Sequence, residues 1–136
     1  AAAPHSLIVT TPQPTALMDV YALTKIIYQN GLSNSLSLLV NMVDSERQGE
    51  AVAQTLNSVM QRYLAGSIDL IGCLPSSEQV NTALKKRMPF AALWERETIS
   101  LRLRQVAQAL LNRNDAAVSR EIKAENLMKG LMNINK

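Results

Sequence analysis

The sequence predicts an α/β fold, a parallel sheet with flanking helices, and three observations carry that reading. Short apolar or β-branched runs alternate with longer stretches whose apolar residues recur every three to four positions. Those longer stretches can carry the chain back to the start of a next strand, as right-handed crossovers between parallel strands require. Glycine and proline mark the changes of period.

The elements follow in order. Leu7-Ile-Val-Thr-Thr reads as a strand that stops at Pro12, and after Pro14 the residues Ala16, Val20, Leu23 and Ile27 share one helical face, with Thr15 placed to cap the first turn. A second strand, residues 36–41 (LSLLVN), follows the loop signal NGLSNS. Val52, Leu56, Val59, Met60, Tyr63 and Leu64 then fall on one face of a helix. Gly66 precedes a third strand at 68–74 (IDLIGCL), and Ile99, Leu103, Val106 and Leu110 mark a helix near the C-terminus. The only low-complexity run is the opening AAA, and no internal repeat is found.

Composition narrows the class. The 136 residues suit one domain, and 47% hydrophobic content excludes a disordered chain, for which too little apolar surface could be buried. Cys73 stands alone, so no internal disulfide framework exists, and a reducing compartment is expected. No run approaches the roughly 18 apolar residues of a spanning helix, and the first residues lack a basic region followed by an apolar core. A cytoplasmic protein is expected. A net charge of +3, with one Phe, one Trp and three Tyr, gives little for phosphate attraction or base stacking, so nucleic acid is not an expected partner.

In open parallel sheets, ligands gather at the carboxyl ends of the strands, where loops converge and helix N-termini offer unpaired N–H groups. Three segments reach that edge: residues 10–15, 41–45 and 75–78. They bring hydroxyls at Thr11 and Ser76, a carboxamide at Asn41 and the flat ring of Pro75. Turn chemistry and helix capping account for the same residue types equally well. His5 is the single histidine, which leaves no basis for a metal site or a Ser-His-Asp triad. Cys73 lies within an apolar strand and reads as an inert thiol.

The segments VTTPQPTALMDVYALTK, LLVNMVDSERQGEAV and IGCLPSSEQVNTALKKRMPF, in this order and spacing, resemble the C-terminal half of a MinD/ParA-type P-loop ATPase of the SIMIBI class. The nearest branch is that of the flagellar-number regulators, the FlhG (FleN/YlxH) proteins. The likeness runs from Ser6 to about Leu111. It implies that Asn41 and Met42, with Pro75, Ser76, Ser77 and Glu78, form the nucleotide-binding loops, Asn41 turning its amide to adenine. It also implies that Thr11, Pro12, Gln13, Thr15 and Asp19 lie beside the switch region and the dimer face. Gln13 stands where Glu is usual, and Ser76-Ser77 where Glu-Asp is common, departures that leave the implied base recognition in place and give no support to a carboxylate role at those positions. ATP and Mg are the cofactors implied for an intact parent, and the implied partners are a missing N-terminal half, a second copy in a homodimer and flagellar or division regulators.

Absent motifs limit this picture. The five glycines never form G-x-x-x-x-G-K-[ST], so the chain has no phosphate loop and is expected to be a fragment that does not hydrolyse ATP alone. Lys85-Lys86-Arg87 reads as a solvated helix end, with an acidic partner or the DNA contact of ParA-like relatives as the alternative. Residues 1–112 are assigned to the ATPase half and 113–136 to a linker and amphipathic helix. In that tail Leu127, Met128, Leu131 and Ile134 share a face and Lys129 lies opposite, the pattern of a peripheral membrane contact at the inner face of the cell membrane or of a helix packed on protein. The function expected is the adenine-binding, effector-facing half of an ATPase that regulates flagellar number or placement. The alternatives are an interaction module that keeps the fold without the chemistry, and a partitioning or division-site ATPase.

Overall fold

The computed structural model describes residues 5–31, 36–113 and 123. In chain order they form β1 (Ser6–Thr10), α1 (Pro14–Gln29), β2 (Leu36–Val43), α2 (Glu46–Leu64), β3 (Asp69–Pro75), α3 (Glu78–Lys86) and α4 (Phe90–Leu93). A further helical stretch, residues 98–113, is labelled α5. The strands make one parallel sheet in the order β1-β2-β3, so the expected fold class and all three expected strands are present.

β2 lies at the centre, and its residues 36–40 are all buried because helices cover both faces. On one face Leu36, Leu38, Val40 and Val43 pack with Ile8 of β1 and with Val52, Leu56 and Met60 of α2. On the other face Leu39 and Leu74 meet Val106 of α5, joined by Leu7, Leu103 and Leu110. The helical face read from Ile99 to Leu110 is therefore the one that covers this side. Leu38, Val40 and Met60 are wholly removed from solvent, each burial stabilising the fold by about 1.5–3 kcal/mol.

Helix ends show how local chemistry sets the elements. α2 starts at Ser45, whose Oγ accepts the Gln48 N–H at 3.3 Å, while Gln48 Oε1 accepts the Asp44 N–H at 2.8 Å. This reciprocal exchange is a close variant of the capping box. α1 starts differently. Gln13 is its N-cap, without a side-chain bond, and Pro14 supplies the first helical residue with φ already set. Thr15 thus lies inside the helix and does not cap it, which corrects the sequence reading.

Two more side chains depart from expectation. Leu23 is 46% exposed, and the buried face of α1 runs through Val20 and Thr24, with Leu17, Ile27 and Tyr28 packed beside them. Tyr63 is 62% exposed, because Ala53, Leu56 and Met60 already fill the space beneath α2. Entry into β3 is fixed from α2: Asn57 Nδ2 donates to the Ile68 carbonyl at 3.0 Å and its Oδ1 accepts the Ile68 N–H at 2.8 Å. Tyr28 holds the preceding residue, its hydroxyl donating to the Ser67 carbonyl and accepting the Ser67 N–H, both at 3.0 Å.

Candidate nucleotide-base site

The carboxyl end of the sheet is shaped by an irregularity in β2. Val40 lies opposite Cys73 and Val43 opposite Pro75, so β2 spends three steps where β3 spends two. Such a bulge bends a strand and re-aims the residues within it. Met42 sits in the bulge with φ 59°, a left-handed conformation that costs a residue bearing a Cβ about 1–2 kcal/mol. Its N–H is held by Asn41 Oδ1 at 2.9 Å. This bond occupies the carboxamide oxygen and leaves Nδ2 as the donor for a group beyond the strand end.

β3 is tied to the same point. The Ser76 N–H donates to the Val43 carbonyl at 3.0 Å, continuing the strand pairing past the bulge and fixing Pro75-Ser76 beside residues 41–43. Ser77 is the N-cap residue of α3, but its Oγ donates to Gln79 Oε1 at 2.6 Å and not to the helix backbone. Glu78 is exposed in the first turn of α3.

Two clefts open here. One, of about 310 Å³, brings Asn41 together with Thr11 and Asp19, between β1 and α1. The other, of about 320 Å³, joins Pro75, Ser76 and Ser77 to Glu97 and Thr98 at the start of α5. The strand-end residues are thus neighbours along the sheet, while Asn41 and Pro75 line different clefts. Pro12 is half-buried, Gln13 and Thr15 are exposed, and Met42 points outward. Leu127, Met128, Lys129, Leu131 and Ile134 lie outside the described residues. Sequence reasoning missed Glu97 and Thr98. Their signal was position, two polar residues just before the periodic face that begins at Ile99.

The chemistry available is recognition of a polar, flat group. The amide donor at Asn41 serves the cleft between β1 and α1, and the Pro75 ring serves the cleft at the start of α5. Among the described residues no group of three or more His, Cys, Asp or Glu could hold a metal ion. The Cys73 thiol is half-buried, and burial, with Glu46 and Glu50 nearby, pushes its pKa up despite an opposing effect of Arg102. Such a thiol is a poor nucleophile.

No family model matches the chain. Among curated proteins it is 30% identical over 107 residues to the antiactivator FleN of Pseudomonas aeruginosa, covering 79% of this chain and 38% of FleN. It is 28% identical over 108 residues to the flagellum site-determining protein YlxH of Helicobacter pylori, covering 79% of this chain and 36% of that protein. The chain thus spans less than two-fifths of the length of these relatives. Its fold is that of the MinD cell division protein of Aquifex aeolicus, with a TM-score of 0.62 at 16% identity over 79% of this chain and 44% of MinD. With the order of strands, the bulged strand end and these likenesses together, the chain corresponds to the C-terminal part of a MinD/FlhG-like protein with the α/β P-loop NTPase-like fold.

Proposed function

We propose that this chain supplies the base-binding and partner-facing part of a MinD/FlhG-like ATPase that regulates flagellar number or placement. One observation carries the reading: the β2 bulge commits the Asn41 oxygen to Met42 and leaves its amide donor at a strand end where Pro75-Ser76 is fixed alongside. A donor at the end of β2 suits a purine ring nitrogen, and the Pro75 ring on the neighbouring strand bounds the adjoining cleft. ATP, when bound, supplies the phosphoanhydride to be cleaved. In this reading the present residues bind and orient the base, and the parts of the relatives that this chain does not span hold the phosphates and magnesium.

In a protein that includes this chain together with the phosphate-binding part, Asn41→Ala is expected to weaken ATP binding by roughly 1–2 kcal/mol, with little change in melting temperature. Calorimetric titration measures the first and a thermal scan the second. Unchanged affinity with a collapsed melting temperature makes Asn41 a structural clamp for Met42 and ends the base-site reading. Peripheral membrane contact through the tail belongs to the same proposal. Deleting residues from Glu121 onward is expected to reduce co-sedimentation with vesicles rich in anionic lipid, and unchanged sedimentation would remove it.

A further inference from the structure

All three tyrosines of the chain meet at the end of the molecule opposite the strand-end clefts. Tyr21, Lys25 and Tyr28 occupy one face of α1, at positions i, i+4 and i+7, and Arg62 and Tyr63 stand at the last turn of α2. Between them runs a groove of about 640 Å³ whose floor includes Leu64. Tyr28 is part of its framework, since its hydroxyl bonds Ser67 and its ring leaves no room for a side chain at Gly66. Tyr63 is different. It is 62% exposed, with the Arg62 guanidinium 5.4 Å from its ring centroid.

The charges here have one sign. Among the described residues Lys25 and Arg62 line the groove, no acidic residue does, and neither cation has a carboxylate within ion-pair distance. Two cations are too few to hold a nucleic-acid backbone, where each neutralised phosphate takes its own Lys or Arg. Aromatic walls flanked by arginine are the composition of protein–protein anchor sites. The groove also lies over the central part of the sheet, between α1 and α2, so a strand added beyond β1 or β3 would leave it open.

We infer that this groove docks an acidic, amphipathic segment of another protein, its apolar side chains against Tyr21 and Tyr63 and its carboxylates on Lys25 and Arg62. The site is separate from the base site, and docking does not require a nucleotide.

Two fluorescein-labelled helical peptides test it, one carrying Glu opposite a Leu/Phe face and the other carrying Lys at every Glu position. Binding to the chain is followed by fluorescence anisotropy. The acidic peptide is expected to bind, with an affinity that falls as salt rises, and the Lys peptide to bind at least tenfold more weakly. Lys25→Glu with Arg62→Glu is expected to reverse this preference, and Tyr63→Ala to weaken the acidic peptide about tenfold. All three residues are at the surface, and an unchanged far-UV circular dichroism spectrum confirms that the variants fold. Equal binding of both peptides, no effect of the charge reversal, or no acidic-peptide binding below about 1 mM would each overturn the inference.

Discussion

The two edges of the sheet differ in how they end. Around the outer side of β3, the Arg102 guanidinium of α5 pairs with Glu46 of α2, joining helices that cover opposite faces. Nearer the start of β3, Arg113 reaches Asp69 at 3.2 Å and Ser37 at 2.8 Å. The carboxylates of these pairs are 62% and 69% exposed and the arginines 40% and 35%, so each pair stabilises by about 1 kcal/mol at most. Their larger effect is to place charge along an edge whose N–H and C=O groups would otherwise template another strand. Among the described residues no ion pair protects β1 in this way. Val9 is 56% exposed, and Met18, Leu23 and Ile26 of α1 are 68%, 46% and 58% exposed. Among the described residues one edge carries charge and the other is apolar.

The most demanding test of that contrast is association. The chain alone is expected to self-associate at tens of micromolar through β1, and Val9→Lys with Leu23→Lys to return it to a monomer in sedimentation velocity. If both sediment alike, the β1 edge is not the sticky one.

A smaller effect probes the packed side. A methyl group at Gly49 of α2 would fall on the Cys73 sulfur, so Gly49→Ala is expected to cost about 2–3 kcal/mol in urea denaturation. Adding Cys73→Ala should recover much of that loss by removing the obstructing atom. A cost below about 0.5 kcal/mol for the single change would mean that the β3 side is as loosely packed as the β1 side.

The smallest effect concerns the same thiol and pH. Its folded pKa is raised, chiefly by burial, so its contribution to stability is fully present below the unfolded value and is lost as pH rises through the folded one. Stability should therefore fall on the alkaline side of pH 9, and Cys73→Ala should flatten part of that fall. A fall of identical depth in the variant would show that the thiol is not responsible.

How much of this was legible in the sequence depends on what sets each feature. β2 could be read directly, because a central parallel strand is apolar on both faces and Leu36, Leu38, Leu39 and Val40 announce it. The rotation of α1 could not be. Thr24 looks like a surface residue, yet it is fully buried because its hydroxyl is satisfied by the Tyr21 carbonyl at 2.9 Å. Leu23 looks like a core residue, yet it is 46% exposed because the buried face of α1 runs through Val20 and Thr24. At the candidate site, the strand-end segments were legible from strand order. The bulge at Asn41-Met42 was not, since it exists only in the register between β2 and β3. Division of the edge into two clefts was hidden as well, because it depends on where α5 begins.

The bond between Tyr28 and Ser67 has a consequence for the newborn chain. Its partners are 39 residues apart, and at roughly 5–20 residues per second the ribosome needs about 2–8 seconds to make the second after the first. Throughout that interval the first strand and helix have neither the third strand nor the hydroxyl latch that secures the helix end. Their apolar surfaces are then open to chaperones and to neighbouring nascent chains, so the rate at which residues 29–67 are translated bears on how much protein reaches the folded form.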